Sequence, residues 1–238
     1  MNASDPVVEQ LRAVGTATLT SVLLERGLRA VSMRGPQPLV APAKRIAGRA
    51  FTLRFVPARE DLASPASWAS PKSTRAAIEA MPEGAVVVVD ARGIATAGIF
   101  GDILCSRMVR RGAAGLVTDG VVRDRAGVEA TGLPVWCAGV AAPPSVAGLT
   151  FIGWQEPIGC GGVAVIPDDY VVADADGAVV VPAAIAAEVA AAALEQEAFE
   201  EWALAEVQRG AALPGLYPPN EATRARYRAH RDGRPREP

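Results

Sequence analysis

The 238-residue sequence is poor in the residue types that most often carry polar catalysis. Its one histidine, His230, lies in an arginine-rich segment near the C-terminus. A serine–histidine–aspartate triad and a histidine-based zinc site both need an imidazole in the folded body. Both kinds of site are therefore excluded for the body of a single chain.

Lysine is almost as scarce. Lys44 and Lys72 are the two lysines, and each lies in a stretch typical of exposed loops. A Schiff-base enzyme needs a lysine whose pKa is lowered by removal of water around its amine. Imine chemistry is therefore not expected, and polar chemistry is left to carboxylates, arginines and backbone amides. A site of carboxylates and water favours a hard cation such as Mg²⁺ or Mn²⁺.

The cysteines and the apolar stretches indicate the cellular compartment in which the protein is expected. Cys105, Cys137 and Cys160 are far apart and form no C-x-x-C pair, which predicts reduced thiols and a cytoplasmic protein. The first residues do not have the pattern of a signal peptide. The alanine-rich stretch at 183–194 is too short to span a membrane, so no membrane partner is expected.

Charge gives little support for a nucleic-acid partner. The net charge is -2 and the pI is about 5.6, whereas phosphate binding needs clustered positive charge. We interpret the arginine-rich C-terminus as a solvated, partly frayed tail. A tail that contacts nucleic acid or another subunit is the alternative. The arginines concerned are Arg224, Arg226, Arg228, Arg231, Arg234 and Arg236.

The alternation of strands, turns and helices predicts an α/β protein, with no clean domain boundary in the pattern itself. We assign residues 1–210 to one α/β domain and residues 211–238 to a C-terminal arm that is partly flexible. A long loop is expected over 56–73, followed by a short helix capped by Thr74. Strands are predicted at 46–55, 84–90, 114–119, 133–137, 151–154, 162–165, 170–173 and 178–181, and helices at 6–26, 74–81, 102–111, 124–131 and 182–209.

The stretch at 97–104 is the first candidate for chemistry. A helix beginning at Asp102 would leave the amides of Ile103, Leu104 and Cys105 unpaired, and a helix N-terminus of this kind favours an anion. The alternative is that Asp102 only caps the helix.

The stretch at 118–124 is the second candidate. It follows a predicted strand end, where open α/β sheets bind ligands. Arg123 can bind a carboxylate with two hydrogen bonds, and Asp124 can hold a metal ion directly or through water. The alternative is a turn in which Asp124 caps the next helix and Arg123 makes a surface ion pair.

These two stretches carry a family resemblance. Gly101-Asp-Ile-Leu104, followed by Gly115-Leu-Val-Thr-Asp-Gly-Val-Val-Arg-Asp124, Gly132-Leu-Pro-Val-Trp136 and Ala138-Gly-Val-Ala141, resembles the RraA-like family. The resemblance runs from about residue 16 to 210, and its specific part is residues 101–124. It is closest to the branch of class II 4-hydroxy-4-methyl-2-oxoglutarate (4-carboxy-4-hydroxy-2-oxoadipate) aldolases.

The resemblance implies a compact, swivelling β/β/α domain with a long C-terminal helix, assembled as trimers or hexamers with the active site between subunits. It implies Mg²⁺ or Mn²⁺ as cofactor and a small 2-oxo acid as substrate. Arg123 would bind the 2-oxo acid, and Gly101 with the amides of Ile103 and Leu104 would take its carboxylate. The implied metal site comprises Asp124, Asp102 acting through water, and Glu197 or Glu200 from the neighbouring subunit.

The implied reaction is cleavage of a carbon–carbon bond to give pyruvate, with Arg123 and the metal stabilising an enolate. Oxaloacetate decarboxylation is a natural side activity because it passes through the same enolate. One departure concerns substrate choice: aldolases of this branch carry an acid where this chain has Gly127. Two alternatives are a hydrolase or another enzyme acting on a sugar-derived 2-oxo or 2,4-dioxo acid, and a non-catalytic ribonuclease regulator.

Overall fold

A curled sheet of eight strands organises the chain, and the computed structural model describes residues 5–41 and 44–233. The predicted α/β class is confirmed. The strands are β1 (Gln37–Pro38), β2 (Ile46–Pro57), β3 (Val86–Asp90), β4 (Gly115–Thr118), β5 (Val135–Cys137), β6 (Leu149–Trp154), β7 (Ile158–Cys160), β8 (Val163–Val165), β9 (Tyr170–Asp174) and β10 (Gly177–Val181). The helices are α1 (Pro6–Ala13), α2 (Thr16–Glu25), α3 (Thr74–Ala80), α4 (Asp102–Arg110), α5 (Arg125–Ala130), α6 (Ala186–Gln208) and α7 (Glu221–Asp232).

Strand order explains where a site can form. The sheet runs β1-β5-β4-β3-β2-β9-β10, and β6 also pairs with β2. Strands β2, β3, β4 and β5 are parallel, while β1, β6, β9 and β10 pair antiparallel. The run Val86–Val89 is fully buried, as a central parallel strand requires. The loops that follow β3 and β4 therefore lie side by side at the carboxyl edge.

Two apolar layers cover the sheet. One core cluster packs side chains of α3, α4 and α5, including Ile78 and Met108, against β2, β3 and β4. A second cluster packs α1, α2 and the first half of α6 against β9 and β10. The second half of α6 extends further and packs on α7, where Phe199, Trp202 and Tyr227 form a small aromatic core.

The N-terminal helix prediction is wrong in one respect. The helix expected over 6–26 is divided in two, because Val14 and Gly15 are extended. The break is held from outside: Asp174 accepts hydrogen bonds from the Thr16 amide at 2.9 Å and the Thr16 hydroxyl at 2.6 Å. A contact so distant in sequence leaves no sign in the local periodicity.

Three further differences are small. Ser73, and not Thr74, caps α3 by accepting a hydrogen bond from the Ala76 amide. The long loop contains a 3-10 turn at Pro65–Ala69. Strand β7, which pairs with β8, was not predicted.

The arginine-rich segment is not a frayed tail over its described part. Residues 221–232 form α7, capped by Asn220 and paired with α6 through Arg226–Glu206 and Arg231–Glu195 ion pairs. Arg234 and Arg236 lie outside the described residues, and the proposed boundary at residue 210 stays a prediction. Across 5–41 and 44–233, no helix combines the length and the apolar character needed to cross a membrane.

Candidate active site

Two loops at the carboxyl edge of the sheet are joined to each other by main-chain bonds. The loop after β3 and the loop after β4 meet where the Ile99 amide donates to the Val121 carbonyl and the Arg123 amide donates to the Phe100 carbonyl, both at 2.9 Å. This pairing brings the start of α4 next to the start of α5. The two sequence stretches singled out above thus form one structure.

Two glycines allow this close approach. At Gly98, a Cβ would lie 2.7 Å from Cβ of Arg123, and at Gly101 a Cβ would overlap the Asp124 carboxylate. Cβ atoms do not come so close to other heavy atoms in real structures, so any larger residue would separate the loops. Glycine at both positions therefore places Arg123 and Asp124 against the loop that begins α4.

The resulting pocket has a volume of about 220 Å³. It brings together every residue that the sequence assigned to a site within one chain. It also includes residues that sequence reasoning missed, among them Trp68 and Arg75. The pocket is lined by Trp68, Thr74, Arg75, Gly98, Ile99, Gly101, Asp102, Ile103, Leu104, Arg123, Asp124, Pro144 and Ser145.

Arg123 and Asp124 form an ion pair at the pocket wall. Nε of Arg123 donates to Oδ2 of Asp124 at 3.1 Å, and the side chains are 35% and 42% exposed. Asp124 lies at the N-cap of α5 in a left-handed conformation, with φ 53° and ψ 46°, but its side chain makes no capping bond. The ion-pair part of the alternative prediction is correct and the capping part is wrong. A strained backbone at a partly exposed, charged residue is typical of functional sites.

The start of α4 is less open than the sequence predicted. The Cys105 amide donates to the Gly101 carbonyl at 3.0 Å, so its prediction as an unpaired donor is wrong. The Ile103 amide donates to Oδ1 of Asp102 at 2.7 Å. Gly101, and not Asp102, occupies the N-cap. An incoming carboxylate would therefore replace Asp102 as the partner of the Ile103 amide.

Cysteine is not a nucleophile candidate here. All three cysteines are buried and free. Burial, with further contributions from the neighbouring Asp102 and Cys137, raises the pKa of Cys105 to about 12, so its thiol remains protonated. Both lysines, Lys44 and Lys72, are exposed, as expected.

The donor set fits a hard divalent cation. Asp102 and Asp124 line the same pocket, and their carboxylates lie against glycines whose Cβ atoms would fill the space beside them. Mg²⁺ commonly binds through one or two carboxylates and keeps several waters. No cluster of three or more metal-binding side chains occurs within the described part of the chain, so one subunit offers two carboxylates at most.

The two candidate glutamates lie elsewhere, on α6. Glu197 accepts one long hydrogen bond, from the Gly15 amide at 3.4 Å. Glu200 accepts from Thr18, Gln196 and Tyr217, which engages both of its oxygens. Neither lines the pocket of its own chain.

A larger cleft, of about 780 Å³, lies near the amino end of β3. Its charged side chains are mostly matched among themselves, since Arg12 pairs with Glu9 and Arg49 with Asp5. In sheets of this kind ligands bind at the carboxyl ends of the parallel strands. The smaller pocket is therefore the candidate active site.

Comparison with known protein families supports the choice of the smaller pocket as the candidate active site. The family model described as RraA-like, Aldolase/RraA, matches residues 16–180, which include both pocket loops. The chain belongs to the aldolase/RraA family. The predicted family and fold type are therefore confirmed.

Individual members of the aldolase/RraA family show how much is shared. A *Halalkalibacterium halodurans* protein that carries the provisional name 4-hydroxy-4-methyl-2-oxoglutarate aldolase is 41% identical over 109 residues, which is 45% of this chain and 50% of that protein. The matched stretch thus spans half the length of that relative. Several other relatives carry the same provisional name. Several relatives are therefore provisionally named as aldolases.

Solved structures match over more of the chain. *Streptomyces coelicolor* RraAS2, described as an unusual member of the RNase ES inhibitor RraA protein family, is 37% identical, with a TM-score of 0.75 over 85% of this chain and 97% of its own. An uncharacterised *Pseudomonas syringae* protein is 26% identical, with a TM-score of 0.77 over 91% of this chain and 99% of its own. Nearly the whole fold is therefore that of the aldolase/RraA family.

Proposed function

We propose that this chain is a divalent-metal-dependent carbon–carbon lyase that cleaves a small 2-oxo acid to pyruvate. The observation that carries the proposal is the joint placement of Arg123, Asp124 and Asp102 around one pocket at the start of α4. The provisional aldolase names of its relatives support the same reaction class. The substrate that we propose is 4-hydroxy-4-methyl-2-oxoglutarate, and oxaloacetate decarboxylation is the proposed side activity.

In this proposal Arg123 binds the 2-oxo acid at two oxygens. One side of its guanidinium would donate to the carboxylate and the other to the 2-oxo group, a planar contact that arginine makes well. The ion pair with Asp124 fixes the guanidinium at the pocket wall beforehand. Positioning before reaction lowers the entropic part of the barrier.

The proposed cleavage is a retro-aldol reaction. The C4 hydroxyl loses its proton, the electron pair of the C3–C4 bond moves to C3, and the products are pyruvate and the enolate of a second pyruvate. Arg123 stabilises the negative charge that develops on the 2-oxo oxygen. Asp102 would hold the water that accepts the hydroxyl proton, and a proton returns to C3.

Asp124 and Asp102 are the residues of this chain that would hold the cation, which when bound supplies positive charge beside the 2-oxo group. We further propose that the partner subunit contributes Glu197 rather than Glu200. Both oxygens of Glu200 already accept hydrogen bonds within its own chain, whereas Glu197 accepts one long bond.

The test is pyruvate release by the purified protein from a panel of 2-oxo acids, with Mg²⁺ or Mn²⁺ added or removed by EDTA. We expect release from 4-hydroxy-4-methyl-2-oxoglutarate that stops with EDTA and returns with metal. In Asp124→Asn the metal concentration needed for half-maximal activity should rise, because the amide removes a negative charge and keeps the shape. Undiminished turnover after exhaustive chelation would refute metal dependence.

A regulator of ribonuclease is the second candidate, because RraAS2 is similar over nearly the whole fold. A binding protein has no need for Arg123, Asp124 and Asp102 in one pocket. Inhibition of a purified RNase E-type ribonuclease by this protein, together with no turnover of any 2-oxo acid, would favour the regulator.

A further inference from the structure

Arg75 is a second guanidinium at the candidate active site. It is the second residue of α3, it is exposed, and it lines the same pocket as Arg123 and Asp124. Its guanidinium carbon lies 4.9 Å from the centre of the Trp68 ring. A cation stacked on an indole face keeps a defined position while its N–H groups stay free to donate.

Arg75 and Arg123 differ in whether a carboxylate of the chain pairs with them. Two carboxylates, Asp102 and Asp124, and two guanidinium groups line the pocket. Arg123 is paired with Asp124, whereas Arg75 has no ion-pair partner among residues 5–41 and 44–233. Arg107, which does not line the pocket, is paired with Glu79 at 2.7 Å. Arg75 thus contributes an unmatched positive charge at the pocket.

We propose that Arg75, held on Trp68, is the specificity-determining residue that binds a second carboxylate of the substrate. The first carboxylate and the 2-oxo group would lie at Arg123 and the start of α4. The ligand class is then a 2-oxo dicarboxylate rather than a 2-oxo monocarboxylate. The inference rests on the proposed function in taking this pocket to bind a 2-oxo acid, and it adds which residue recognises the second carboxylate of such an acid.

Trp68 belongs to the long loop predicted over 56–73. The loop turns at Pro65–Ala69, and its C-terminal end is anchored where Ser73 caps α3. The stacking partner and the arginine therefore come from adjacent elements, the loop and the helix that it enters. Neither side chain is buried, so both can be changed with little effect on the core.

The test separates binding from turnover. Isothermal titration with Mg²⁺ present compares 2-oxoglutarate with 2-oxopentanoate, which has the same chain length and lacks the second carboxylate. We expect the wild-type protein to bind 2-oxoglutarate more tightly. Arg75→Gln should weaken 2-oxoglutarate binding by about tenfold, because charge-assisted hydrogen bonds are lost at a partly exposed site. Binding of 2-oxopentanoate should stay the same.

Variants and controls sharpen the comparison. Arg75→Lys should recover part of the preference, and Trp68→Leu should weaken it without removing charge. Arg110→Gln removes an equivalent exposed arginine outside the pocket and should change nothing. Thermal melting of each variant checks that the fold is retained.

The possible results distinguish failure of the role proposed for Arg75 from failure of the proposed lyase function. Equal wild-type affinity for the two ligands, or equal loss for both in Arg75→Gln, would overturn the role of Arg75. Turnover of 4-hydroxy-4-methyl-2-oxoglutarate in the same samples would then leave the proposed function standing. Conversely, an Arg75-dependent preference in a protein that releases no pyruvate would support the inference and refute the lyase.

Discussion

At the scale of single residues, Gly127 marks the point where this chain departs from the aldolase branch that it resembles. A Cβ at this position would lie 2.7 Å from both Cβ and Oδ2 of Asp102. Helices α4 and α5 therefore approach too closely here for a side chain at 127 and the present Asp102 position to coexist. The close approach of α4 and α5 therefore accounts both for the lack of an acidic side chain at position 127 and for the position of Asp102.

Gly127→Ala should accordingly reduce pyruvate release by tenfold or more, because it displaces Asp102 from the pocket. Stability should change by no more than about 1 kcal/mol, since the gain in helix propensity offsets part of the crowding. Gly159→Ala is the matched control, because a Cβ there meets nothing within 4 Å. Turnover and urea unfolding of both variants provide the measurement. Full activity in Gly127→Ala would show that the position of Asp102 is unimportant.

The sequence located some site residues and missed others for a physical reason. Arg123, Asp124 and Asp102 follow or begin regular elements, so strand and helix patterns place them at the carboxyl edge. Trp68 lies in an irregular loop and Arg75 in the helix that follows it, and no periodicity encodes the path by which that loop brings them together. An indole in a loop rich in proline and serine was the available signal.

At the scale of elements, Asp174 holds the N-terminal helices on the sheet. It lies at the end of β9, is 8% exposed, and accepts bonds from Thr16 at the start of α2 and from the Asp176 amide. Burial by itself would raise the pKa of Asp174, but these hydrogen bonds and the charge of Arg45 lower it below its ordinary value. Its ionised form therefore stabilises the fold.

Asp174→Asn should lower the free energy of unfolding by about 2 kcal/mol at pH 7, because charge-assisted bonds to Thr16 are lost. A carboxyl with a lowered folded-state pKa contributes stability above its unfolded pKa and loses it as pH falls through the folded value. The difference between wild type and variant should thus shrink below about pH 4. Urea unfolding from pH 7 to pH 3 measures it, with Asp176→Asn as an exposed control. A difference that is constant with pH would contradict the ionised role.

Elements were predictable where a local pattern decides them. The buried runs at 86–90 and 115–118 gave correct strands, because central parallel strands are apolar throughout. The break at Gly15 was missed because the distant Asp174 fixes it. Helix α7 was missed because half of its residues are charged and only Thr223 and Tyr227 are buried.

At the scale of the whole molecule, the single chain supplies two carboxylates to its own pocket and keeps Glu197 away from it. The outer half of α6 carries the exposed apolar side chains Leu204 and Val207. Both features suit an assembly in which α6 of one subunit approaches the pocket of another. Assembly remains a prediction.

We expect a trimer or a multiple of a trimer by light scattering coupled to size exclusion. We also expect that mixing Arg123→Lys subunits with Glu197→Gln subunits, each of low activity alone, restores part of the activity, since some pockets would then receive both intact residues. A fully active monomer, or no recovery after verified subunit exchange, would refute a shared site.

The central claim is that the pocket beside Arg123 cleaves a 2-oxo acid, and one measurement addresses it most directly. The measurement is the turnover number of Arg123→Lys for pyruvate release from 4-hydroxy-4-methyl-2-oxoglutarate, compared with Arg125→Lys. Arg125 lies two residues further along the chain, is exposed and paired with Glu129, and does not line the pocket. Lysine keeps the charge but not the planar two-pronged contact, so Arg123→Lys should lose about 100-fold, or roughly 3 kcal/mol of transition-state stabilisation. Arg125→Lys should stay near wild type, and equal turnover in all three proteins would contradict the account.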